Sequence, residues 1–391
     1  MRVAITTLGC DKNRCDSEQL AANLRTKGYT ITGDESVADI LLVNTCSFIE
    51  SARNEALDII NQKIATGKRV VVTGCMTVNY PELIPIKAEV WDIDKTAQAT
   101  KLLSTPKSYV YIKIADGCDN RCAYCTIPSI RGGYTPRPKQ DIIGEVEHFA
   151  NLGVPEFILV AQDLTKYPDL VGLIREISQH AQKIRLHYIY PNGITDELIN
   201  EVANNPKVCK YLDIPFQHVN KRITELMNRK YTDPKNLIEK FRLRIPNLAL
   251  RSTFMVGFPT ETDDEFLELR NFVQTAKLDY VGFFTYSRER GTTAYDMPQV
   301  PEKIKKSRLQ AIERVQSDVT MGMHKKIVGR VVEVACDYYD GVLGYSVTRC
   351  QWLSPDVDPF IIVHHQLEPA KEYRVKIVGT HKLNLIGEII S

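Results

Sequence analysis

Three cysteines on a short loop, Cys118, Cys122 and Cys125, constrain this chain more than any other feature. A strand-like run from Tyr109 to Ala115 leads into the loop. Closely spaced thiolates can converge on one metal centre, and soft sulfur ligands favour zinc, copper(I) or iron–sulfur clusters. A structural zinc site needs four protein ligands, whereas a four-iron cluster bound by three cysteines keeps one iron open. Because the next cysteine along the chain is Cys209, the pattern favours the cluster.

The spacing of these cysteines, with Tyr124 just before the last one, resembles the signature of the radical S-adenosylmethionine (SAM) superfamily. The resemblance implies that the amino and carboxylate groups of SAM chelate the open iron. An electron passed through the cluster would then break a carbon–sulfur bond of SAM and free a deoxyadenosyl radical. The three cysteines become catalytic in this interpretation, and Tyr124 becomes a cofactor-binding residue. A zinc-binding loop, or three unrelated buried cysteines, is the alternative.

Composition limits the class of protein. At 391 residues, with 43% hydrophobic and 25% charged residues, the chain is long enough for two or three domains. It has no apolar run of membrane-spanning length and no charged-then-apolar leader, so we expect a cytoplasmic protein with no place in a membrane. A net charge of +2 gives no electrostatic case for binding nucleic acid. Because cytosolic reductants keep thiols free, the ten cysteines indicate metal ligands or reduced thiols.

The first hundred residues alternate between strand and helix patterns. The predicted strands run from Arg2 to Leu8, Asp39 to Asn44 and Arg69 to Thr73. The predicted helices run from Asp16, as the N-cap residue, to Gly28, and from Ser51 to Gly67. Strands that alternate with helices favour a parallel sheet covered on both faces. We therefore predict a doubly wound α/β domain over residues 1–104.

Each of the three predicted strands runs into a cysteine: Cys10, Cys46 or Cys75. Ligands of such sheets bind just beyond the carboxyl ends of the strands, so these cysteines predict a second metal cluster. One cysteine at a strand end is usually a small buried residue, but three at one edge can converge. Three ligands again leave one position open, here for sulfur. We expect Cys15, in the turn before the first helix, to pack rather than to bind metal.

Two sets of three cysteines in this order resemble the methylthiotransferases of the radical SAM superfamily. The run from Leu8 to Glu18 is similar to the branch of that family that modifies ribosomal proteins. Its members insert a methylated sulfur into a carbon–hydrogen bond. The hydrogen is not acidic enough for a general base to remove, so radical chemistry is needed. The resemblance implies two 4Fe-4S clusters and S-adenosyl-L-methionine, one SAM as methyl donor and one as radical source. The cluster on Cys10, Cys46 and Cys75 would present the sulfur.

The implied substrate is an aspartate, modified at its β-carbon, of the small-subunit ribosomal protein numbered twelve, either alone or within the ribosome. We expect a monomer that receives electrons from a donor such as flavodoxin or ferredoxin. Two other functions stay open. A transfer-RNA adenosine methylthiotransferase would use the same chemistry, and a non-catalytic, metal-stabilised RNA-binding protein would use the cysteines to hold zinc.

A repeated strand–helix pattern fills residues 105–325. The predicted strands are Tyr109 to Ala115, Glu156 to Val160, Ile184 to Tyr190, Tyr211 to Ile214, Leu248 to Val256 and Tyr280 to Tyr286. The predicted helices are Pro138 to Leu152, Asp169 to Gln182, Thr195 to Asn204, Asn220 to Asn228 and Glu261 to Thr275. Units of this length favour a partial (β/α) barrel, whose chemistry lies at the carboxyl ends of the strands.

Polar residues and a glycine turn follow several of these strands. Resemblance to the radical SAM core assigns Gln162, Gln217 and Arg251 to the surface that faces SAM. It assigns Gly257 to a turn whose backbone approaches the adenosine. Arg251 would pair with the SAM carboxylate through its guanidinium. For any one of these residues, a structural cap or a surface ion pair is the alternative.

Residues 326–391 change to a pattern of short strands. Five of them, at Gly329 to Ala335, Gly341 to Val347, Phe360 to Val363, Glu372 to Val378 and Asn384 to Ile390, favour a small antiparallel β-barrel. Its position resembles the TRAM domain that ends methylthiotransferases. Between Gly329 and Ser391 six Lys and Arg stand against eight Asp and Glu, and the net charge of −2 favours a basic protein partner over RNA phosphates. We expect the charged helix before it, from Lys303 to Lys326, to be a solvated face.

Overall fold

The computed structural model describes residues 1–92 and 100–390. The chain forms two compact units. The first unit contains Met1–Ser104, Ala115–Thr135 and Ser287–Tyr295, and the second contains Thr105–Ile114, Pro136–Tyr286 and Asp296–Ser391. Among the described residues, no helix combines the length and the apolar composition that crossing a bilayer requires. The predicted domain limits at residues 104 and 325 stay predictions.

The described part of the chain alternates strands and helices before it ends in strands alone. The strands are β1 (Arg2–Thr7), β2 (Thr30–Thr32), β3 (Ile40–Thr45), β4 (Arg69–Gly74), β5 (Glu89–Val90), β6 (Tyr109–Lys113), β7 (Ala115–Asp116), β8 (Thr135–Pro136), β9 (Glu156–Val160), β10 (Lys183–Leu186), β11 (Val208–Asp213), β12 (Ala249–Val256), β13 (Tyr280–Thr285), β14 (Val331–Asp340), β15 (Tyr345–Arg349), β16 (Ile361–Val363), β17 (Glu372–His381) and β18 (Asn384–Ile389). The helices are α1 (Asp11–Thr26), α2 (Glu50–Ala65), α3 (Cys75–Asn79), α4 (Ile127–Arg131), α5 (Lys139–Asn151), α6 (Leu170–Ile177), α7 (Asp196–Asn204), α8 (Lys221–Leu226), α9 (Pro234–Arg244), α10 (Asp263–Ala276) and α11 (Glu302–Ile327).

The first unit is built on a parallel sheet with the strand order β2-β1-β3-β4-β5. Helix α1 covers one face, where Leu20 and Leu24 pack with Val3 of β1. Helix α2 covers the opposite face, where Ala56 and Ile60 pack with residues of β3 and β4. A sheet of β-branched and leucine residues buried on both faces is what the alternating pattern predicts. The doubly wound fold is therefore confirmed.

The start of α1 differs from the prediction. The helix begins at Asp11, directly after Cys10, so Asp16 is not its N-cap residue. Asp16 lies inside the helix, and its side chain, 4% exposed, forms an ion pair with Arg131 at 2.9 Å. Cys15 also lies inside α1 rather than in a turn before it, and it is buried. A long-range ion pair, which local pattern does not reveal, explains why an acidic residue occupies this position.

A late segment of the chain, Ser287–Tyr295, folds with the first unit. Its Glu289 is 1% exposed and binds Arg53 at 2.7 Å and the Tyr80 hydroxyl at 2.7 Å. A buried carboxylate is tolerated because both partners are present. These contacts anchor the segment to α2 and to the turn that follows α3.

The second unit contains a sheet of six parallel strands in the order β13-β12-β11-β10-β9-β6. Neighbours in this sheet are also neighbours along the chain, which confirms the partial (β/α) barrel.

Helix α9 was not predicted, although Asp233 caps it and Pro234 occupies its first turn, both of which are sequence signals of a helix start. Helix α11 was predicted, but Lys305 and Arg308 are buried rather than solvated because they bind the Tyr286 carbonyl and Glu261.

The end of the chain closes into a five-stranded barrel in the order β14-β15-β16-β18-β17, as predicted. The barrel is not wholly antiparallel, because β16 and β18 pair in parallel. One hydrophobic core joins it to the six-stranded sheet, with Cys209 and Tyr211 of β11 packed against Val334 and Val375 of the barrel. Buried charges cross the same contact. Glu156 of β9 binds Arg185 at 2.6 Å and Arg349 of the barrel at 3.0 Å. The barrel is thus fixed to the sheet by both apolar and ionic contacts.

These ion pairs make the stability of the second unit depend on pH. Burial alone raises the pKa of Glu156, but Arg185 and Arg349 outweigh burial and bring the pKa down to about 2. We expect the stabilisation to be complete above the unfolded pKa of about 4.5 and to be lost as the pH falls toward about 2, by about 3 kcal/mol. Urea denaturation at several acidic pH values measures this. Glu156→Gln should flatten the dependence, whereas Glu197→Gln on the exposed surface should leave it unchanged.

Candidate metal centre and cofactor site

The first set of cysteines lies at one edge of the first unit's sheet. Cys10 follows β1, Cys46 follows β3 and Cys75 follows β4, and these three strands are adjacent. The strand order reverses between β1 and β3, which is where sheets of this kind bind ligands. The cysteines are close enough that a negative charge on Cys10 or Cys75 would oppose ionisation of Cys46. The three strand ends therefore lie at one edge of the sheet, and binding of a metal cluster there stays a prediction.

Two glycines allow this close approach. Gly9 has a φ of +87°, and a Cβ there would lie 2.6 Å from the Cβ of Cys46. Gly74 has a φ of +95°, and a Cβ there would lie 2.7 Å from the Thr45 carbonyl oxygen. Other residues would meet both backbone strain and a steric clash at these positions. Each glycine precedes a cysteine, so the turns that aim the thiols depend on glycine.

Burial changes the ionisation of two thiols in the first cysteine set. It raises the pKa of Cys46 to about 11 and raises the pKa of Cys75, which the nearby Arg131 partly opposes. Without metal these thiols are protonated at neutral pH, and a bound metal must displace the protons. Across the described residues, no three Cys, His, Asp or Glu side chains form a site for a single metal ion. Three thiolates are soft donors, which suit an iron–sulfur cluster or zinc.

The second set of cysteines lies on the loop before α4. The Cys118 amide donates to the Gly132 carbonyl at 3.1 Å, and the Cys125 amide donates to the Cys122 carbonyl at 3.0 Å. Gly117 has a φ of +71°, and a Cβ there would lie 2.0 Å from the Gly133 carbonyl oxygen. The backbone therefore folds the loop tightly. Tyr124 is 8% exposed within it.

In the second unit, Gln162 and Gln217 both present buried amide atoms. Both polar side-chain atoms of Gln162, after β9, and the Oε1 of Gln217 have no hydrogen-bond partner among the described residues. Gln217 adopts a φ of +69° and pairs with β12, donating to Thr253 at 2.8 Å and accepting from Met255 at 2.8 Å. Buried amide atoms without partners are costly, so they indicate positions where a polar ligand binds. The assignment of Gln162 and Gln217 to the surface that faces SAM stays a prediction.

The turn at Gly257 is held by a residue that was not predicted as part of the site. Glu261 accepts hydrogen bonds from the amides of Gly257 and Phe258, and it lies 3.3 Å from Arg308. Burial raises the pKa of Glu261 to about 7, although Arg308 and the two amides oppose the shift. The position of Glu261, four residues after Gly257, was the sequence signal that could have predicted this role. Gly257 itself has a φ of +69° and lies against Lys305, with no room for a side chain.

Arg251 has protein partners. It is the third residue of β12, and its guanidinium binds Asp358 of the barrel at 2.8 Å and lies 3.7 Å from Asp213. Burial lowers the pKa of Arg251, but Tyr211 and the two aspartates more than offset this and raise it. The contacts favour the structural alternative for this residue. Its predicted pairing with the SAM carboxylate stays a prediction.

Comparison with known proteins identifies the family. Three family models match: the Uncharacterized protein family UPF0004 over residues 2–93, the Radical SAM superfamily over residues 112–273 and the TRAM domain over residues 328–390. The chain is 38% identical to "Ribosomal protein uS12 methylthiotransferase RimO" of Caldicellulosiruptor saccharolyticus, covering 100% of both chains. It is 37% identical to the protein of the same name from Pelotomaculum thermopropionicum, covering 100% of this chain and 99% of that one. The chain belongs to the RimO family.

Solved structures support the radical SAM fold of this RimO-family chain. The radical SAM methyltransferase TsrM from Kitasatospora setae, solved with cobalamin and a [4Fe-4S] cluster, gives a TM-score of 0.55 at 14% identity and covers 75% of this chain and 77% of that one. A second TsrM structure, solved with tryptophan and a SAM analogue, gives the same TM-score and covers 87% and 79%. At such low identity the likeness concerns the fold alone.

Membership of the RimO family confirms the predicted resemblance, and with it a radical SAM enzyme that uses a [4Fe-4S] cluster and SAM. The second cluster and the roles of individual residues stay predictions.

We expect the turn before Cys10 to control loading of the first cysteine set in this RimO-family enzyme. Gly9→Ala should lower the iron content after reconstitution from about eight to about four, because its Cβ would displace Cys46. Gly28→Ala is the matched control, since Gly28 has a φ of +86° with nothing within 4 Å of its Cβ position. Equal iron content in the two variants would contradict the expectation.

Proposed function

We propose that the chain inserts a methylthio group at the β-carbon of an aspartate of ribosomal protein uS12, using two [4Fe-4S] clusters and two molecules of SAM. The observation that carries the proposal is the edge at which three adjacent parallel strands each end in a cysteine, Cys10, Cys46 and Cys75. A radical SAM enzyme that only cleaves SAM has no use for a second set of this kind. Full-length relatives named as uS12 methylthiotransferases support the substrate.

The two cysteine sets have different tasks in this proposal. Cys118, Cys122 and Cys125 hold the cluster that, when bound, supplies the electron for cleaving SAM. Cys10, Cys46 and Cys75 hold the auxiliary cluster and keep one position open for sulfur. Cys75 is buried and Cys46 is partly buried, which limits the access of water to that position.

Residues of the second unit orient SAM. Gln162 and Gln217 offer buried amide atoms that lack a partner among the described residues. Tyr124 lies on the cysteine loop of the first unit and is a separate candidate. Glu261 accepts hydrogen bonds from the amides of Gly257 and Phe258 and so fixes the conformation of that turn. Binding energy from these contacts would restrict the conformation of the bound SAM.

The charge of the terminal barrel agrees with a protein substrate. Its net charge of −2 between Gly329 and Ser391 attracts a basic protein and repels RNA phosphates.

The electron donor would be a low-potential protein such as flavodoxin or ferredoxin, and the enzyme would act as a monomer.

Mass spectrometry of uS12 tests the proposal. Small ribosomal subunits that lack the modification are incubated with reconstituted enzyme, SAM, sulfide and a reductant. We expect one aspartate of uS12 to gain a methylthio group with the native chain and none with the Cys10, Cys46, Cys75→Ala variant. Unmodified uS12 together with a methylthio group on purified transfer RNA would overturn the proposal in favour of the transfer-RNA enzyme.

A further inference from the structure

One buried carboxamide, that of Asn13, joins all three strand ends of the first cysteine set. Asn13 is 1% exposed, and its Nδ2 donates to the Leu8 carbonyl and to the Thr45 carbonyl, both at 2.9 Å. Leu8 lies two residues before Cys10, and Thr45 directly precedes Cys46. The Oδ1 atom faces Cys75, whose thiol donates to it at 3.6 Å. The spacing of the three thiols therefore depends on one side chain.

The same Oδ1 atom accepts a hydrogen bond from Arg131, the last residue of α4. The Arg131 side chain is 5% exposed and binds Asp16 of α1 at 2.9 Å and Asp116, two residues before Cys118, at 3.0 Å. A guanidinium stays protonated in proteins at any ordinary pH. Arg131 is thus a permanent cation that connects the segment carrying the second cysteine set to the first set.

We propose that Asn13 and Arg131 form a positioning brace that fixes the first cysteine set, and that Arg131 raises the reduction potential of the auxiliary cluster. The inference rests on the proposed function, because it needs a cluster on Cys10, Cys46 and Cys75. Three thiolates give such a cluster a negative charge, and adding an electron increases it. Arg131 forms a hydrogen bond with Cys75 and shares the Asn13 Oδ1 acceptor with its thiol, so the cation lies beside the first cysteine set. A cation and hydrogen bonds to sulfur both favour the reduced state.

The geometry also separates the roles of the two residues. Asn13→Asp keeps the shape of the side chain but removes the donor to two buried carbonyls, so it disturbs the spacing of the cysteines. Arg131→Gln keeps a hydrogen-bond donor but removes the charge that Arg131 presents to Asp16 and Asp116. Arg131→Lys retains the charge but loses the guanidinium, whose several N–H groups bind both carboxylates at once.

Redox titration of the auxiliary cluster tests the brace. The full chain carrying Cys118, Cys122 and Cys125→Ala is reconstituted, so that the remaining iron belongs to the first set, and its reduction is followed by electron paramagnetic resonance. In this background Arg131→Gln should lower the ratio of reduced to oxidised cluster at a fixed potential about tenfold, and Arg131→Lys should restore most of it. Asn13→Asp should lower the iron bound. Arg290→Gln, in an exposed pair with Glu82, is the matched control and should change neither quantity.

The outcomes distinguish the brace from the proposed function. Absence of iron from the background protein itself would overturn the proposed function, and this inference with it. Normal iron content with an unchanged potential in Arg131→Gln would overturn the brace alone. If Arg131→Gln binds too little iron to titrate, Arg131→Lys decides. A reduced-to-oxidised ratio close to that of the background protein would support the role of the charge, and a ratio about tenfold lower would overturn it.

Discussion

Replacing Cys122 by alanine is expected to abolish the formation of deoxyadenosine from SAM. The substitution removes one of three ligands that a SAM-cleaving cluster has on this loop, and no other cysteine on the loop can replace it. Losing a residue that merely supports a metal ligand costs about 10-fold to 100-fold, so losing a ligand should cost more than about 100-fold. Chromatography of the products after anaerobic reconstitution and reduction measures the rate.

Cys209→Ala is the matched control for this substitution. Cys209 is buried at 3% exposure in the core between the barrel and the sheet, outside both cysteine sets. The variant should cleave SAM at a rate close to that of the native chain. Undiminished deoxyadenosine formation by Cys122→Ala would refute the assignment of the second cysteine set.

The second large effect is expected on stability. Arg349→Met should lower the free energy of unfolding by about 3–5 kcal/mol, because it leaves Glu156 and Asp337 as buried charges without this partner. Arg349 is 2% exposed at its side chain and binds Asp337 at 2.6 Å and Glu156 at 3.0 Å. Denaturant titration followed by the fluorescence of Trp352, which packs against the barrel core, measures the loss.

Arg374→Met provides the comparison for Arg349. Arg374 is an exposed residue of the same barrel, and its replacement should change the free energy of unfolding by no more than about 0.5 kcal/mol. If the two variants were equally stable, the buried charges would not be what fixes the barrel to the sheet.

Local pattern was enough to predict much of this fold. The strand from Glu156 to Val160 has the predicted limits. The strands that precede Cys10, Cys46 and Cys75 begin and end within two residues of their predicted limits. These strands are apolar, β-branched and bounded by turn residues, so sequence periodicity determines them. The cysteines of each set are marked by their immediate neighbours, either a short spacing or the end of a strand, so both sets are recognisable in the sequence alone.

Contacts between distant residues were not predictable in the same way. Arg251 was expected to face SAM, but its partner Asp358 lies more than a hundred residues away and is brought near only by the packing of the barrel. The same holds for Asn13 and Arg131, whose partners come from four separate segments. Glu261 was predicted to start a helix, while its burial beneath the Gly257 turn depends on α11. Such side chains acquire their roles from tertiary packing, which overrides local propensity.

The measurement that tests the account most directly is the iron and sulfide content after anaerobic reconstitution of the native chain and of the Cys10, Cys46, Cys75→Ala variant. The account predicts about eight irons in the native chain and about four in the variant, as expected for two separate four-iron clusters. About four irons in both proteins would leave a radical SAM enzyme without an auxiliary cluster, and that result would contradict the proposed sulfur insertion.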